Sequence, residues 1–286
     1  MKLHIVTINY NSAPETLNLL KCLDRQTDRE FGCVLIDNGS QDYAQLTQFS
    51  ERPWLKIQRN DRNEGFSAGN NIGIEQALQQ GADYILFLNN DTRIEPNFIA
   101  DLKQQSLSDG ITALPIREGE RVAYAGRIKW LRHTLAHQYT PAVPDPTLYA
   151  IGAGMIVHRS VFETIGLWDE KYFLYFEDAD FSMRAHKAGV NFKYLTEPVI
   201  THYVSKSASK LGSSLLLRYH YRNMFLFNLR HAPWYIKIIL PIWAFLGIVK
   251  QILKLITRPA ERPQSRAIFG AILDYLTGRF GRLHDS

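Results

Sequence analysis

The sequence predicts an α/β fold: a mostly parallel open sheet flanked by helices, then a C-terminal helical extension that is both basic and apolar. Three observations predict it. Between Leu3 and Leu88, short apolar runs rich in β-branched residues alternate with helical patterns, which calls for right-handed βαβ units. Those runs end in polar clusters, and open α/β sheets bind ligands at the carboxyl ends of their strands. The charge is also divided. The 286 residues carry +5 overall, yet Tyr203 to Ser286 holds 13 Lys or Arg against 3 Asp or Glu (+10), and Met1 to His202 holds 20 against 25 (−5). A basic tail on an acidic domain points to an anionic partner beside the tail.

Leu3 to Ile8 reads as a first buried strand, followed by Asn9-Tyr10-Asn11. Ser12 stands three before Glu15, a capping-box pattern, with Pro14 early in the helix and Leu17, Leu20 and Leu23 as its apolar face. Phe31 to Ile36 is a second strand, ending in Asp37-Asn38-Gly39-Ser40, and Trp54 to Gln58 is a third. Asn63 to Asn71 leads into a helix that stops near Gly81. Tyr84 to Leu88 is a fourth strand, tipped by Asn89-Asn90-Asp91, and a helix is expected over Pro96 to Gln105.

From Ile111 to Tyr149 prolines, glycines and polar residues predict hairpins and loops forming a variable wall. Strand returns over Tyr149 to Val157, and Ser160 to Ile165 is a short helix. Glu177 to Ala188 is a helix closed by Gly189. Val190 to Leu195 and Val199 to His202 are short strands, and the chain is helical from Ser213 onward.

Within that extension, Trp234 to Ile256 is strongly apolar. Its longest uncharged run, Ile238 to Val249, is 12 residues, short of the ~20 that a spanning helix needs. Lys237, Lys250 and Lys254 flank the run, and Trp234, Tyr235 and Trp243 are amphipathic. An in-plane interfacial helix or a re-entrant hairpin is expected. That apolar run argues for lipid and against nucleic acid. Cys22 and Cys33 lie in apolar patterns without metal-ligand spacing and are expected to be buried, reduced thiols. The N-terminus enters a strand within two residues, with no signal peptide expected.

Each polar cluster has two readings. Asp37 can accept the imide proton of a pyrimidine, or it can close an Asx-turn. Asn63 to Asn71 can bring a helix N-terminus to phosphate or ribose, or it can be a plain loop-to-helix join. Asp91 can bind a divalent cation bridging two phosphates, or cap the helix near Pro96. Asp178 can be a general base whose basicity Glu177 raises, or both can complement a helix dipole. Asp180 and Arg184 are at i,i+4 spacing, which suits a structural pair. His202 ends a strand, with Ser205 and Ser207 after it.

Taken together, these pieces resemble family 2 glycosyltransferases of the GT-A fold, in particular the rhamnosyltransferase-like branch. The matching segments are Thr7-Ile8-Asn9-Tyr10-Asn11, Ile36 to Ser40, Asn63 to Asn70, Leu88-Asn89-Asn90-Asp91, Phe173 to Phe181, and His202. They occur in the family's order and cover about residues 2 to 207.

The resemblance implies a metal-dependent, inverting transfer of a sugar, rhamnose as first choice, from a dTDP- or UDP-linked donor. The acceptor it implies is a hydroxyl of a saccharide or lipid-linked saccharide in surface polysaccharide synthesis. It implies Asp178 as catalytic base with Glu177 beside it, and Asp91, His202 and Asn89 as ligands of Mg²⁺ or Mn²⁺. Donor contacts are expected at Thr7, Asn9, Asp37, Asn63, Gly65, Phe66, Gly69, Asn70 and Asn90. The metal motif often begins with aspartate in the family; Asn89 stands there, a neutral and weaker ligand.

The expected organisation is a GT-A catalytic domain over 1–207, with a nucleotide-sugar half of about 1–110 and an acceptor half of about 111–207. A membrane-associating extension follows over 208–286, with the protein peripheral on the inner face of the cytoplasmic membrane. The competing classes are a nucleotidyltransferase and a non-catalytic carbohydrate- or lipid-binding protein. The first would want a Gly-rich, Lys- or Arg-bearing loop after the first strand, and Asn9-Tyr10-Asn11-Ser12 lacks it. The second would be favoured by loss of Asp91 or Asp178, and both are present.

Overall fold

The computed structural model describes residues 1–203 and 213–283; Ser205, Ser207 and the expected boundary at 207/208 lie outside the described residues. In chain order, β1 (Leu3–Asn9), α1 (Ala13–Asp24), β2 (Phe31–Asp37), β3 (Leu55–Arg59), α2 (Gly65–Gln79) and β4 (Tyr84–Leu88) build the first half. Strands β1 to β4 are all parallel where they pair, in the order β3-β2-β1-β4. The order reverses at β1, so the crevice beyond the carboxyl ends of β1 and β4 is the topological switch point.

β5 (Thr92–Arg93), α3 (Phe98–Gln104), β6 (Ile111–Ala113), β7 (Ile116–Glu118), β8 (Arg121–Ala123), β9 (Ala125–Lys129), β10 (Thr134–Gln138) and β11 (Leu148–Tyr149) come next. Then come β12 (Gly154–His158), α4 (Arg159–Ile165), α5 (Glu177–Lys187), β13 (Phe192–Tyr194) and β14 (Ile200–His202). β12 inserts antiparallel between β4 and β6, and β13 pairs parallel with β6, completing a seven-stranded sheet. Both expected halves therefore share one sheet. Of the segment expected as a variable wall, β6 joins the large sheet, and the rest forms two small sheets, β10-β9-β11 and, with β5 and β14 from outside it, β5-β14-β7-β8.

The alternation of side chains explains why the strands read as continuous apolar runs. Leu3, Ile5, Cys33, Leu35, Leu86 and Leu88 face α1 and α3, while Val6, Val34, Ile36, Ile85 and Phe87 face α2, α4 and α5. Cys33 is buried and Cys22 half-buried, and neither is paired.

Among the described residues three helices end the chain: α6 (Ser213–His231), α7 (Trp234–Thr257) and α8 (Arg262–Leu276). A third apolar cluster joins Phe225, Phe227, Leu240 and Ile272 of these helices to Phe176 and Ala179 at the start of α5.

Three expectations are corrected. Ser12 sits at the α1 N-cap position but makes no capping bond; Asp42 Oδ2 accepts from the Ala13 N–H at 2.8 Å instead. The Ser12 hydroxyl is diverted to Asn9 and Asn90. The re-entrant hairpin is overturned, because α7 is one unbroken helix of 24 residues through Pro241. By length and composition alone it is long and apolar enough to cross a membrane. Lastly, Asp91 does not cap the helix near Pro96: α3 begins at Phe98, after Asn97.

Candidate active site

A cavity of about 560 Å³ opens over the carboxyl ends of β1 and β4, within the ~300–1,000 Å³ usual for small-molecule sites. A first group of its lining residues is Asn89, Asn90, Asp91 and His202, and a second is Glu177 and Asp178.

The first group is assembled by strand pairing. Antiparallel pairing of β14 with β5 sets His202 opposite Thr92, and His202 Nε2 reaches Asp91 Oδ1 at 3.1 Å. Behind it, His202 Nδ1 lies 2.9 Å from Glu118 Oε1, and Glu118 Oε2 lies 3.3 Å from His137 Nδ1. Burial opposes protonation of His202, but Asp91 and then Glu118 outweigh it, and its pKa is raised. Asn90 is fixed by donating to Ser12 Oγ (2.7 Å) and Thr16 Oγ1 (2.8 Å).

The second group lies at the start of α5, where Glu177, Asp178 and Asp180 occupy the first turn. Asp178 Oδ2 accepts from the Gly152 N–H at 3.0 Å and Oδ1 from the Ala179 N–H at 2.7 Å. Burial raises both carboxyls of the pair, Glu177 further, since the Asp178 charge adds to it; backbone N–H groups pull Asp178 back. Glu177 Oε2 is buried with no hydrogen-bond partner among the described residues. The two carboxyls titrate as a pair, and burial with the neighbouring charge favours Glu177 over Asp178 as the holder of a proton. Asp180 turns away, onto Arg184 (2.9 Å) and His231 (2.7 Å), as its spacing predicted for Arg184.

The loop entering α5 is unusual. Phe173, Tyr175 and Phe176 all have positive φ (58°, 72° and 73°), a conformation that costs a non-glycine residue on the order of 1 kcal/mol or more. Neighbours compensate. Asn223 of α6 donates to the carbonyls of Leu174 (2.8 Å) and Tyr175 (3.1 Å), and Tyr219 stacks on Phe173 at 4.7 Å. Gly65 lets the loop reach α2: a Cβ there would lie 2.5 Å from the Phe173 ring, and the Phe66 N–H donates to the Phe173 carbonyl.

Of the expected donor contacts, Asn63, Gly65, Phe66 and Asn90 line the cavity; Thr7, Asn9, Asp37, Gly69 and Asn70 do not. Asp37 is wholly buried, accepting from Asn9 Nδ2 (2.8 Å) and the Ser40 N–H (3.1 Å), with Arg59 Nε at 3.6 Å. Asn9 spends both ends of its amide inside the protein, also accepting from Thr16. Asn70 bonds back to Phe66 within α2, and Gly69 packs against Asn38 and Ile8. These residues shape the floor from behind, and Asn38 is the member of the Asp37 cluster that faces the cavity.

Sequence reasoning missed Glu118, His137 and His220, which also line the cavity. Glu118 and His137 sit in the variable wall, where no periodic pattern singles them out. His220 comes from α6, in the segment read as a membrane tail.

A divalent cation fits the first group. Two donor atoms 3.1 Å apart, a carboxylate oxygen and an imidazole nitrogen, match adjacent corners of an octahedron with bonds of about 2.1 Å. Glu118 backs the histidine as a carboxylate commonly does in metal sites. Among the described residues no cluster of three His, Cys, Asp or Glu converges as a metal cage. The arrangement therefore suits Mg²⁺ or Mn²⁺ shared with substrate phosphates and water.

The profile of Glycosyl transferase family 2 matches residues 4–166. The chain is 24% identical over 264 residues to an N-acetylglucosaminyl-diphospho-decaprenol L-rhamnosyltransferase of Mycobacterium tuberculosis, covering 82% of this chain and 86% of the relative. It is 25% identical over 245 residues to the dTDP-rhamnosyl transferase RfbF of Shigella flexneri, covering 81% of each. Its fold is similar to that of the mannosyltransferase PcManGT of Pyrobaculum calidifontis, solved with GDP-Man and Mn²⁺. There the TM-score is 0.56 at 15% identity, over 97% of this chain and 88% of that one.

Proposed function

The chain belongs to glycosyl transferase family 2, and from that premise we propose that it moves rhamnose from a dTDP- or UDP-linked donor to a hydroxyl of a saccharide or lipid-linked saccharide, with inversion. One observation supports this reading: a single cavity is lined both by the Asp91–His202 pair and by the Glu177–Asp178 pair. A single displacement needs both groups at one pocket, one to hold the leaving diphosphate and one to take the acceptor's proton. Both relatives named as rhamnosyltransferases support the choice of sugar, and the dTDP-rhamnosyl transferase supports thymidine diphosphate.

In this mechanism Asp178 takes the proton from the acceptor hydroxyl as the hydroxyl oxygen attacks the anomeric carbon. Gly152 and Ala179 orient its carboxylate. Burial of Glu177 beside Asp178 disfavours charge on both at once and favours Glu177 as the holder of the proton. Asp91 and His202, with Asn89, would hold Mg²⁺ or Mn²⁺ at the diphosphate; when bound, the cation neutralises charge on the leaving group. Asn63, Gly65, Phe66 and Asn90 contact the donor, while Asp37 and Asn9 hold the loops that do so. We assign residues 1–207 to catalysis and the following helices to membrane association, with α6 also serving the site through His220.

The exposed face of α7 supports docking on the cytoplasmic membrane from within. Trp234, Ile238, Ile242, Phe245 and Ile256 are exposed, while Ile236, Leu240 and Ala244 pack inward. A helix held along one side by the protein lies in the interface rather than across it. Incubating the purified protein with a panel of nucleotide sugars and Mn²⁺ tests the reading. Release of nucleoside diphosphate from dTDP-rhamnose above the others, with inverted product by NMR, is expected. Turnover of no nucleotide sugar, with or without a saccharide acceptor, would overturn it.

A further inference from the structure

We infer that the turn of the β9–β10 hairpin, Lys129 to Arg132, is a second membrane-contact element that, with the outward face of α7, lays the cavity wall against an anionic lipid bilayer. This deepens the membrane reading proposed above and rests on it.

The turn reads Lys129-Trp130-Leu131-Arg132. Leu131 is 76% exposed, and Lys129 and Arg132 are exposed beside it. An exposed aliphatic tip between two cations is a residue set that sits at a bilayer interface. The turn is held against the extension. His133, with φ 53°, is buried, and its ring packs 4.1 Å from that of Trp243 on α7. Trp130 stacks on Phe227 of α6 at 5.7 Å. Trp243 and Lys250 are seven residues apart and so lie on one flank of α7. The hairpin tip, that flank and the exposed apolar stripe of α7 are thus neighbours.

Charge identifies the occupant. Residues 121–144 contain four Lys or Arg and no Asp or Glu, and α7 contains three Lys and no Asp or Glu. An apolar surface on elements that carry Lys and Arg, of which Lys254 is paired with Glu261, complements an anionic bilayer. It also lies next to the site. Leu135 and His137 of β10 line the cavity, and Phe227, under Trp130, packs on Phe176, the residue before Glu177. A saccharide anchored in the same bilayer would meet the cavity at this wall.

Flotation of the full chain with phosphatidylcholine vesicles, with and without phosphatidylglycerol, tests the inference. Leu131→Asp is expected to lower vesicle partitioning about tenfold or more, the scale of withdrawing one leucine from an apolar phase. Its melting temperature and nucleoside diphosphate binding should not change. Lys129→Ala with Arg132→Ala should lose only the phosphatidylglycerol-dependent part. Unchanged partitioning of Leu131→Asp, alongside loss in Phe245→Asp on α7, would overturn the hairpin contact and leave the membrane reading standing. Failure of the unaltered chain to float on either vesicle would remove both.

Discussion

Asn223, in the middle of α6, donates a hydrogen bond to the Tyr172 carbonyl at 2.6 Å, and so ties the C-terminal extension to the loop that delivers Glu177 and Asp178. Next to it, Arg222 is also wholly buried and donates to the carbonyls of Gly281 (2.9 Å) and Lys171 (3.3 Å). Burial pulls the Arg222 guanidinium down to about 10, so it remains charged near neutral pH. The extension is therefore part of the site's support, whatever surface it also meets.

Asn223→Ala should leave these carbonyls unsatisfied and cost about 1–3 kcal/mol. Asn223→Asp should be worse, because a carboxylate would face carbonyl oxygens that now accept from an amide. Melting temperatures of both variants, read with the transfer rate, check this order. A harmless Asn223→Asp would show that the clamp does not hold the loop.

Asp91→Ala is expected to abolish the Mn²⁺-dependent part of UDP or dTDP binding while the protein stays folded. His202→Ala should weaken it less, because Asp91 remains. Glu118→Ala should weaken it about 10–100-fold through the orientation of His202, to which it is bonded at 2.9 Å. Calorimetry with nucleoside diphosphate, with and without Mn²⁺, reads all three. Metal-dependent affinity unchanged in Asp91→Ala would remove the metal role.

Asp178→Asn keeps the shape of the side chain and removes its basicity. Donor affinity should hold, and transfer should fall about a hundredfold or more, the scale of losing a positioned base. Glu177→Gln should cost less. If instead both changes trim the melting temperature slightly and leave turnover near normal, the two carboxylates serve only the α5 dipole.

Glu177 also predicts a pH dependence of stability. Its folded pKa is raised, by burial first and the Asp178 charge next, well above the ordinary 4.5. Ionising it is harder in the folded protein than in the unfolded chain. It therefore costs no stability below the ordinary value and destabilises increasingly as pH rises from there toward the folded value. Glu177→Gln removes that cost, so the melting temperature of the variant relative to the unaltered chain should climb by a few degrees between acidic and mildly alkaline pH. A difference that stays flat with pH would mean that Glu177 does not carry the buried proton.

The alternation of apolar runs from Leu3 to Leu88 is enough to place β1 to β4, because strands buried on both faces have few other residues to choose from. The polar tips are legible for the same reason: Asn89-Asn90-Asp91 interrupts a run that has no local need of it. Ser12 is the contrary case. A capping box is a local pattern, and Asp42, far along the chain, takes the bond that the pattern assigns to Ser12.

By itself, then, the sequence determined the strands, the family and the two polar clusters, Asn89-Asn90-Asp91 and Glu177-Asp178. These are local patterns, fixed by burial period and by the chemistry of neighbouring residues. Tertiary structure alone decided which distant groups meet: Glu118 behind His202, Asn223 over the loop before α5, His133 under Trp243, and Asp37 sealed behind the floor it was expected to line. Such pairings depend on strand register and helix packing between segments far apart in the chain. No residue carries a local mark of the partner that packing will bring to it.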